Sequence, residues 1–222
     1  MPRVLPWDLA THVGTVDRLS NGRVILGAGL GALHDGWTAF EADEGRKVRV
    51  EKLDECLAVF DGLMKGQPFA FEGKHYSAKP TEFMLPDPPV QQPRPPVWVV
   101  GAQVVGRDRQ PSLARAARWD GLLPQVIDPV DRGKPSTVDS LAEIVALTRA
   151  EREGAGLAWE GYDVILEADS YGEFIVTEPK DPGAWVDAGA TWWVESWWNL
   201  ERSPEGLGEL RRRIQAGPPG SG

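Results

Sequence analysis

Two glycine-bearing turns and one histidine are the places where this chain of 222 residues could do chemistry. Gly27-Ala28-Gly29-Leu30-Gly31-Ala32 closes the apolar run that starts at Arg23. Glycines at the end of a buried strand let a ligand approach the backbone without meeting a Cβ. Gly27, Gly29 and Ala32 fit the permissive form of a dinucleotide fingerprint, but they also fit a plain chain reversal above a packed strand. The fingerprint needs an acid about 20 residues on, at the end of the next strand. Residues 46–49 are instead Arg-Lys-Val-Arg within a helical pattern, so NAD(P)-dependent dehydrogenation on a doubly wound sheet is an alternative that the spacing argues against.

The second turn is Gly101-Ala102-Gln103, followed by Arg107, Arg109 and Ser112 at the start of a helical pattern. Backbone donors at a helix start, with a hydroxyl and guanidinium groups nearby, can cradle a phosphate. A solvated polar loop fits the same residues. His12, His34 and His75 share no metal-ligand spacing with each other or with Cys56, and no metal site is expected. His34 alone follows a glycine turn and is the candidate polar catalytic contact. No Gly-x-Ser-x-Gly elbow, Cys-x-x-Cys pair or Walker lysine appears, which removes the usual support for nucleophilic hydrolysis and nucleotide triphosphate chemistry.

These turns need elements to hold them. Leu9, Val13, Val16 and Leu19 recur at helical spacing, with Pro6 in the first turn, and predict a helix over 6–20. A second helix is predicted from about Asp43 to Lys65, ending at Gly66, followed by a small hairpin over Phe69–Tyr76. Seven prolines between Pro80 and Pro96 mark an extended connector, read as a long loop within one domain. Beyond it the pattern predicts strands at 97–101, 121–126, 162–167 and 191–196. Helices fall between them at 112–119, 136–153 (capped by Ser136 or Thr137) and 181–188. A helix over 200–216 and a disordered tail over 217–222 close the chain. Strands alternating with helices imply an α/β class with parallel pairing and ligands at the carboxyl ends of about five strands.

Six of the ten tryptophans lie between residues 159 and 198. In an alternating strand Trp192 and Trp193 must face opposite sides; most such rings pack the core, but indoles at a strand's carboxyl end can also line an aromatic pocket. The net charge of −9 disfavours nucleic acid and anionic membranes as partners. No apolar stretch reaches the ~20 residues that a membrane span needs. A single cysteine and the lack of a leader-like opening point to the cytoplasm.

The order of motifs resembles the bacterial luciferase-like flavin-dependent monooxygenases, whose relatives include users of a deazaflavin coenzyme. The matching stretches are LATHVGTVDRLSNGRVILGAGLG from Leu9, KLDECLAVFDGLMKGQPFAFEGKHY from Lys52, PPVWVVG from Pro95, LARAARWDGLLP from Leu113 and DAGATWWVES from Asp187. The resemblance implies a (β/α)₈ TIM barrel, here incomplete, lacking its first three strand–helix units and keeping about five parallel strands in one domain over 1–216. It implies that Gly29, Leu30 and Gly31 end one strand beside an FMN or deazaflavin coenzyme and that Gly101, Ala102 and Gln103 end the next. Ser112 would sit near the phosphate, and Trp193 and Glu195 would contact ring or substrate. The implied activity is monooxygenation of a small organic substrate with reduced FMN and oxygen, or hydride transfer with deazaflavin. A flavin reductase and a homodimer are implied as partners. A degenerate, non-catalytic flavin-binding or interaction protein is the competing reading, since an incomplete barrel exposes sheet edges.

Overall fold

A computed structural model describes residues 3–31, 36–81, 87–131, 136–168, 182–197 and 200–218. The chain divides into two compact units, Met1–Val97 and Trp98–Gly222.

In the first unit, helix α1 (Pro6–Ser20) starts with proline at its first position, where the missing N–H would have had no helical partner. It ends at Asn21 in the left-handed conformation (φ 55°), whose N–H donates to the Arg18 carbonyl. Its face of Leu9, Ala10 and Val13 packs against α2 (Arg46–Lys65), which buries Leu53, Cys56, Leu57, Phe60 and Met64. Helix α2 begins three residues later than the sequence pattern suggested, because Gly45 at φ 88° breaks the helical path.

Strand β1 (Leu26–Ala28) is shorter than the apolar run. The Val24 carbonyl is taken by the Gln91 side-chain amide at 2.7 Å instead of by a strand partner. The Leu26 N–H donates to the Pro96 carbonyl at 2.9 Å, anchoring β1 to the end of the proline-rich connector. Asp17, fully buried, fixes the same connector by accepting from the backbone and side-chain N–H groups of Gln91 at 3.0 and 2.8 Å.

The small hairpin forms as β2 (Phe71–Glu72) paired antiparallel with β3 (Ser77–Ala78), so its second strand lies beyond the expected range. Glu55 of α2 explains the wider turn, since its carboxylate accepts from the backbone N–H groups of Lys74, His75 and Tyr76 at 2.8–2.9 Å.

The second unit is built on parallel strands β4 (Val97–Val104), β5 (Gly121–Ile127), β6 (Asp163–Ala168) and β7 (Trp192–Glu195), hydrogen-bonded in that order. Register pairs Gly101 with Pro124, Leu122 with Val164, and Ala168 with Glu195. With β1, the chain supplies five parallel strands, the number read from the sequence. Helices α3 (Pro111–Ala116), α4 (Val138–Gly154), α5 (Pro182–Asp187) and α6 (Pro204–Ala216) connect and follow them. Thr137, one of the two expected caps, accepts from the Ser140 N–H while Ser140 Oγ accepts from the Thr137 N–H, a reciprocal box that sets the start of α4. Ser203 caps α6 through the Gly206 N–H, so that helix starts four residues later than Leu200. Gly217 ends it, and residues 219–222 of the expected tail lie outside the described residues.

Candidate functional site

Strand alternation divides the site residues of the second unit between two faces. On one face, a Cβ at Gly101 would lie 2.4 Å from Leu122 Cδ1 and 3.1 Å from Leu113 Cδ2. This glycine therefore lets α3 close on β4, and Gln103, two residues on, shares its face. Ala102 lies on the opposite face with Trp98. The sequence motif Gly101-Ala102-Gln103 is thus not a single ligand surface.

The face shared by Trp98 and Ala102 has a floor and a mouth. At the amino ends of the strands, Asp163 accepts from the indole of Trp98 at 3.1 Å and from that of Trp192 at 2.9 Å. The two rings meet edge to face with centroids 5.1 Å apart. Trp98 is buried in this floor, whereas Trp192 stays 45% exposed. At the carboxyl ends, on the same face, Ser196 Oγ donates to Glu167 at 2.9 Å. Sequence reasoning missed this pair, whose only local signal is two polar residues at the ends of otherwise apolar strands.

Trp193 and Glu195 point the other way, toward α6. Glu195 accepts from the indoles of Trp193 and Trp197 at 2.9 and 3.0 Å and pairs with Arg213 at 3.4 Å. They line a cavity of about 580 Å³ with Leu210 and Ile214. The strand alternation therefore puts them on the opposite face of the sheet from Glu167 and Ser196.

Ser112 and Gln110 hold the end of β4. Ser112 Oγ accepts from the Ala102 N–H at 3.1 Å and faces the Val100 carbonyl at 3.4 Å, so its hydroxyl serves the strand. The Gln110 amide accepts from the Val104 N–H at 2.9 Å and donates to the carbonyls of Val104 and Arg107 at 3.0 and 2.8 Å. This pins the turn that carries Arg107 and Arg109, both exposed. The α3 start offers little to an anion, because its first residue is Pro111 and it spans only six residues.

In the first unit, Gly29 and Leu30 follow β1, and Gly31 adopts φ 77° with nothing within 4 Å of a would-be Cβ. Arg49 of α2 donates to the carbonyls of Leu30 and Gly31 at 3.4 and 3.2 Å and pairs with Asp43 at 3.1 Å. The basic stretch that argued against a dinucleotide fingerprint thus supplies the group that holds the glycine turn. No long helix opens directly from that turn among the described residues; a single 3-10 turn (Trp37–Ala39) precedes α2, which starts only at Arg46. Among the described residues, then, the strand–turn–helix of a dinucleotide site is not seen. His34 lies outside the described residues.

The titratable groups with marked shifts lie away from these turns. Burial pushes the Cys56 thiol up to about 11, which makes it an inert core group. Burial also raises Tyr162, whose hydroxyl donates to the Ala116 carbonyl at 2.9 Å. Among the described residues no three His, Cys, Asp or Glu side chains stand together to hold a metal, and no helix is long and apolar enough to cross a membrane.

Parallel strands followed by helices, with polar groups gathered at carboxyl ends, define a β/α barrel-type protein. The description "Luciferase-like monooxygenase" matches residues 1–131, and the chain belongs to that family. Among solved structures, it is similar to a monooxygenase from Streptomyces bottropensis (21% identity, TM-score 0.59), covering 76% of this chain and 46% of that one. The oxygenating constituent of 3,6-diketocamphane monooxygenase from Pseudomonas putida, in complex with FMN, gives 20% identity and a TM-score of 0.56 over 76% of this chain and 45% of its own. A coenzyme F420-dependent tetrahydromethanopterin reductase from Methanopyrus kandleri gives 19% and 0.56, over 75% and 47% respectively. At these identities the likeness is one of fold, and the chain spans less than half the length of each of the three.

Proposed function

We propose that this chain serves flavin-dependent oxidoreduction of a small organic substrate. The observation that carries the reading is membership of the luciferase-like monooxygenase family across residues 1–131. One feature of the second unit fits a flavin. Arg107 and Arg109 stand exposed on a turn pinned by Gln110 and can take the coenzyme phosphate through their side chains, a role in which guanidinium geometry is well matched.

When bound, the coenzyme supplies the redox chemistry, oxygen activation by reduced FMN or hydride delivery by a deazaflavin. The protein's part is to bind, orient and exclude water. Ala102 presents a small side chain at the carboxyl end of β4, and Ser112 keeps that segment in place through the Ala102 N–H. Glu167 and Ser196 form the polar contact for substrate or ring on that face, with the Ser196 proton held toward the Glu167 carboxylate. His34 is proposed as a further polar contact in turnover. A flavin reductase partner, a homodimer and a cytoplasmic setting complete the proposal.

A second reading, a non-catalytic flavin-binding or interaction protein, is favoured by one observation. On the Trp98 face, Trp192, Val194 and Ile127 are 45%, 38% and 37% exposed, which is apolar surface that another chain could cover.

Titration of the purified chain into oxidised FMN and, separately, deazaflavin coenzyme, followed by fluorescence, tests both readings. Saturable binding of one, weakened in an Arg107→Ala/Arg109→Ala double variant, is expected. Binding without turnover in a stable dimer would move the conclusion to the second reading, and binding of neither coenzyme would sink every flavin-binding reading.

A further inference from the structure

The cavity of about 580 Å³ beside α6 falls within the usual range for small-molecule sites, about 300–1,000 Å³, and far exceeds the water-sized voids of a packed core. Its walls are Trp193 and Trp197 with Leu200, Leu210 and Ile214. Leu207, Leu210 and Ile214 form one stripe of α6 at spacings of three and four, yet all three stand exposed, and of its own residues the helix buries only Gly206. An amphipathic helix ordinarily closes such a stripe on the core. Here the stripe stays partly open beside two indoles, and an apolar occupant would complete it.

The polar groups of the wall set the charge of that occupant. Glu195 accepts from Trp193 at 2.9 Å and from Trp197 at 3.0 Å, so both indole N–H groups are taken and what the rings have left to offer is apolar. Arg213, with 12% of its side chain exposed, donates through Nη1 to the Gly217 carbonyl and through Nη2 to Glu195 at 3.4 Å. Its Nε is buried and has no hydrogen-bond partner among the described residues. A buried donor left unpaired is costly, and one acceptor oxygen would satisfy it. The Nη2 contact is long for a hydrogen bond, so the guanidinium can turn toward an oxygen in the cavity without giving up a strong partner. Glu195 already balances the Arg213 charge. A carboxylate ligand would set two negative charges against one positive, and an ammonium would meet a carboxylate already held by three donors. A carbonyl oxygen accepts the hydrogen bond and brings no charge into the site. We propose that this cavity binds a small neutral ring compound with one carbonyl oxygen, the ring against Trp193, Trp197 and Ile214 and the oxygen on Arg213 Nε. The site lies on the opposite face of the sheet from Glu167 and Ser196, and the proposal stands independently of the flavin reading.

The test is an NMR titration of the full chain with acetophenone, following the indole N–H signals of Trp193 and Trp197 and the Nε–H signal of Arg213. Benzoate and toluene are the comparison ligands. Saturable shifts are expected with acetophenone, and affinity about tenfold weaker for benzoate and for toluene, which lacks the oxygen. The Arg213 signal should move with acetophenone and stay in place with toluene. Leu210→Trp, at an exposed position, should fill the cavity and abolish the indole shifts. The proposal is overturned by the absence of a saturable shift up to about 10 mM acetophenone. It is equally overturned if benzoate or toluene binds as tightly, if the Arg213 signal does not move, or if binding survives Leu210→Trp. Broadening of the same signals with protein concentration alone would mean that a second copy covers the cavity, and would overturn it too.

Discussion

Gln110 folds back on Val104 so that its one side-chain amide satisfies both the N–H and the carbonyl of that residue, at 2.9 and 3.0 Å. The last residue of β4 is thereby finished by a side chain rather than by a neighbouring strand, and the turn bearing Arg107 and Arg109 leaves from a fixed point. Gln110→Ala should cost on the order of 1 kcal/mol, because it leaves half-buried backbone groups of Val104 without their partner. Urea denaturation measures that cost. Flavin titration of the folded variant should show weaker binding from a loosened turn; unchanged affinity would remove the turn from the coenzyme site.

Asp17 and Gln91, 74 residues apart, hold α1 to the proline-rich connector. Asp17→Ala would strand the donors of Gln91 in a buried place and should destabilise by about 1.5–3 kcal/mol, the usual worth of hydrogen bonds to a charged group. A change smaller than ~0.5 kcal/mol in urea midpoint analysis would show that the connector is held elsewhere.

Gly101 should resist enlargement. Gly101→Val would press on Leu122 and Leu113, a strained overpacking that typically costs about 1–3 kcal/mol. Thermal unfolding reads this directly, and an unaltered midpoint would mean that α3 stands farther from β4.

The hairpin should loosen in acid. Glu51 is held at about 2, against an ordinary 4.5, by hydrogen bonds from the Lys74 ammonium first and then from His75. Glu55 is also lowered: burial works to raise it, but the backbone donors of His75, Tyr76 and Lys74 outweigh that. Carboxyls with depressed values stabilise the fold fully above their unfolded value and lose that contribution as pH falls toward the folded one. Between about pH 5 and 2, amide exchange over residues 71–78 should quicken first, and Glu55→Gln should blunt the trend. Exchange independent of pH after correction for intrinsic rates would contradict this.

Much of the fold was legible because its signals are local. Apolar spacing across Leu9–Leu19 and Leu53–Met64 gives helices with one buried face, and glycine or an asparagine at Asn21 ends them through positive φ. The five short apolar runs became five parallel strands for the same reason. The site was legible only in part. Gly101-Ala102-Gln103 could be recognised as a strand end, but not that Gly101 and Gln103 turn one way and Ala102 the other.

Sequence by itself determined the elements, their order and their family. Tertiary structure decided which groups are free for chemistry. Ser112 lost its hydroxyl to β4, Glu195 turned to Trp193, Trp197 and Arg213, and Glu167 met Ser196 across two strands. The physical reason is that alternation fixes only the relative facing of neighbours along a strand. Which face meets a helix, and which distant donor reaches a given carboxylate, follows from pairing and packing between segments that share no local pattern.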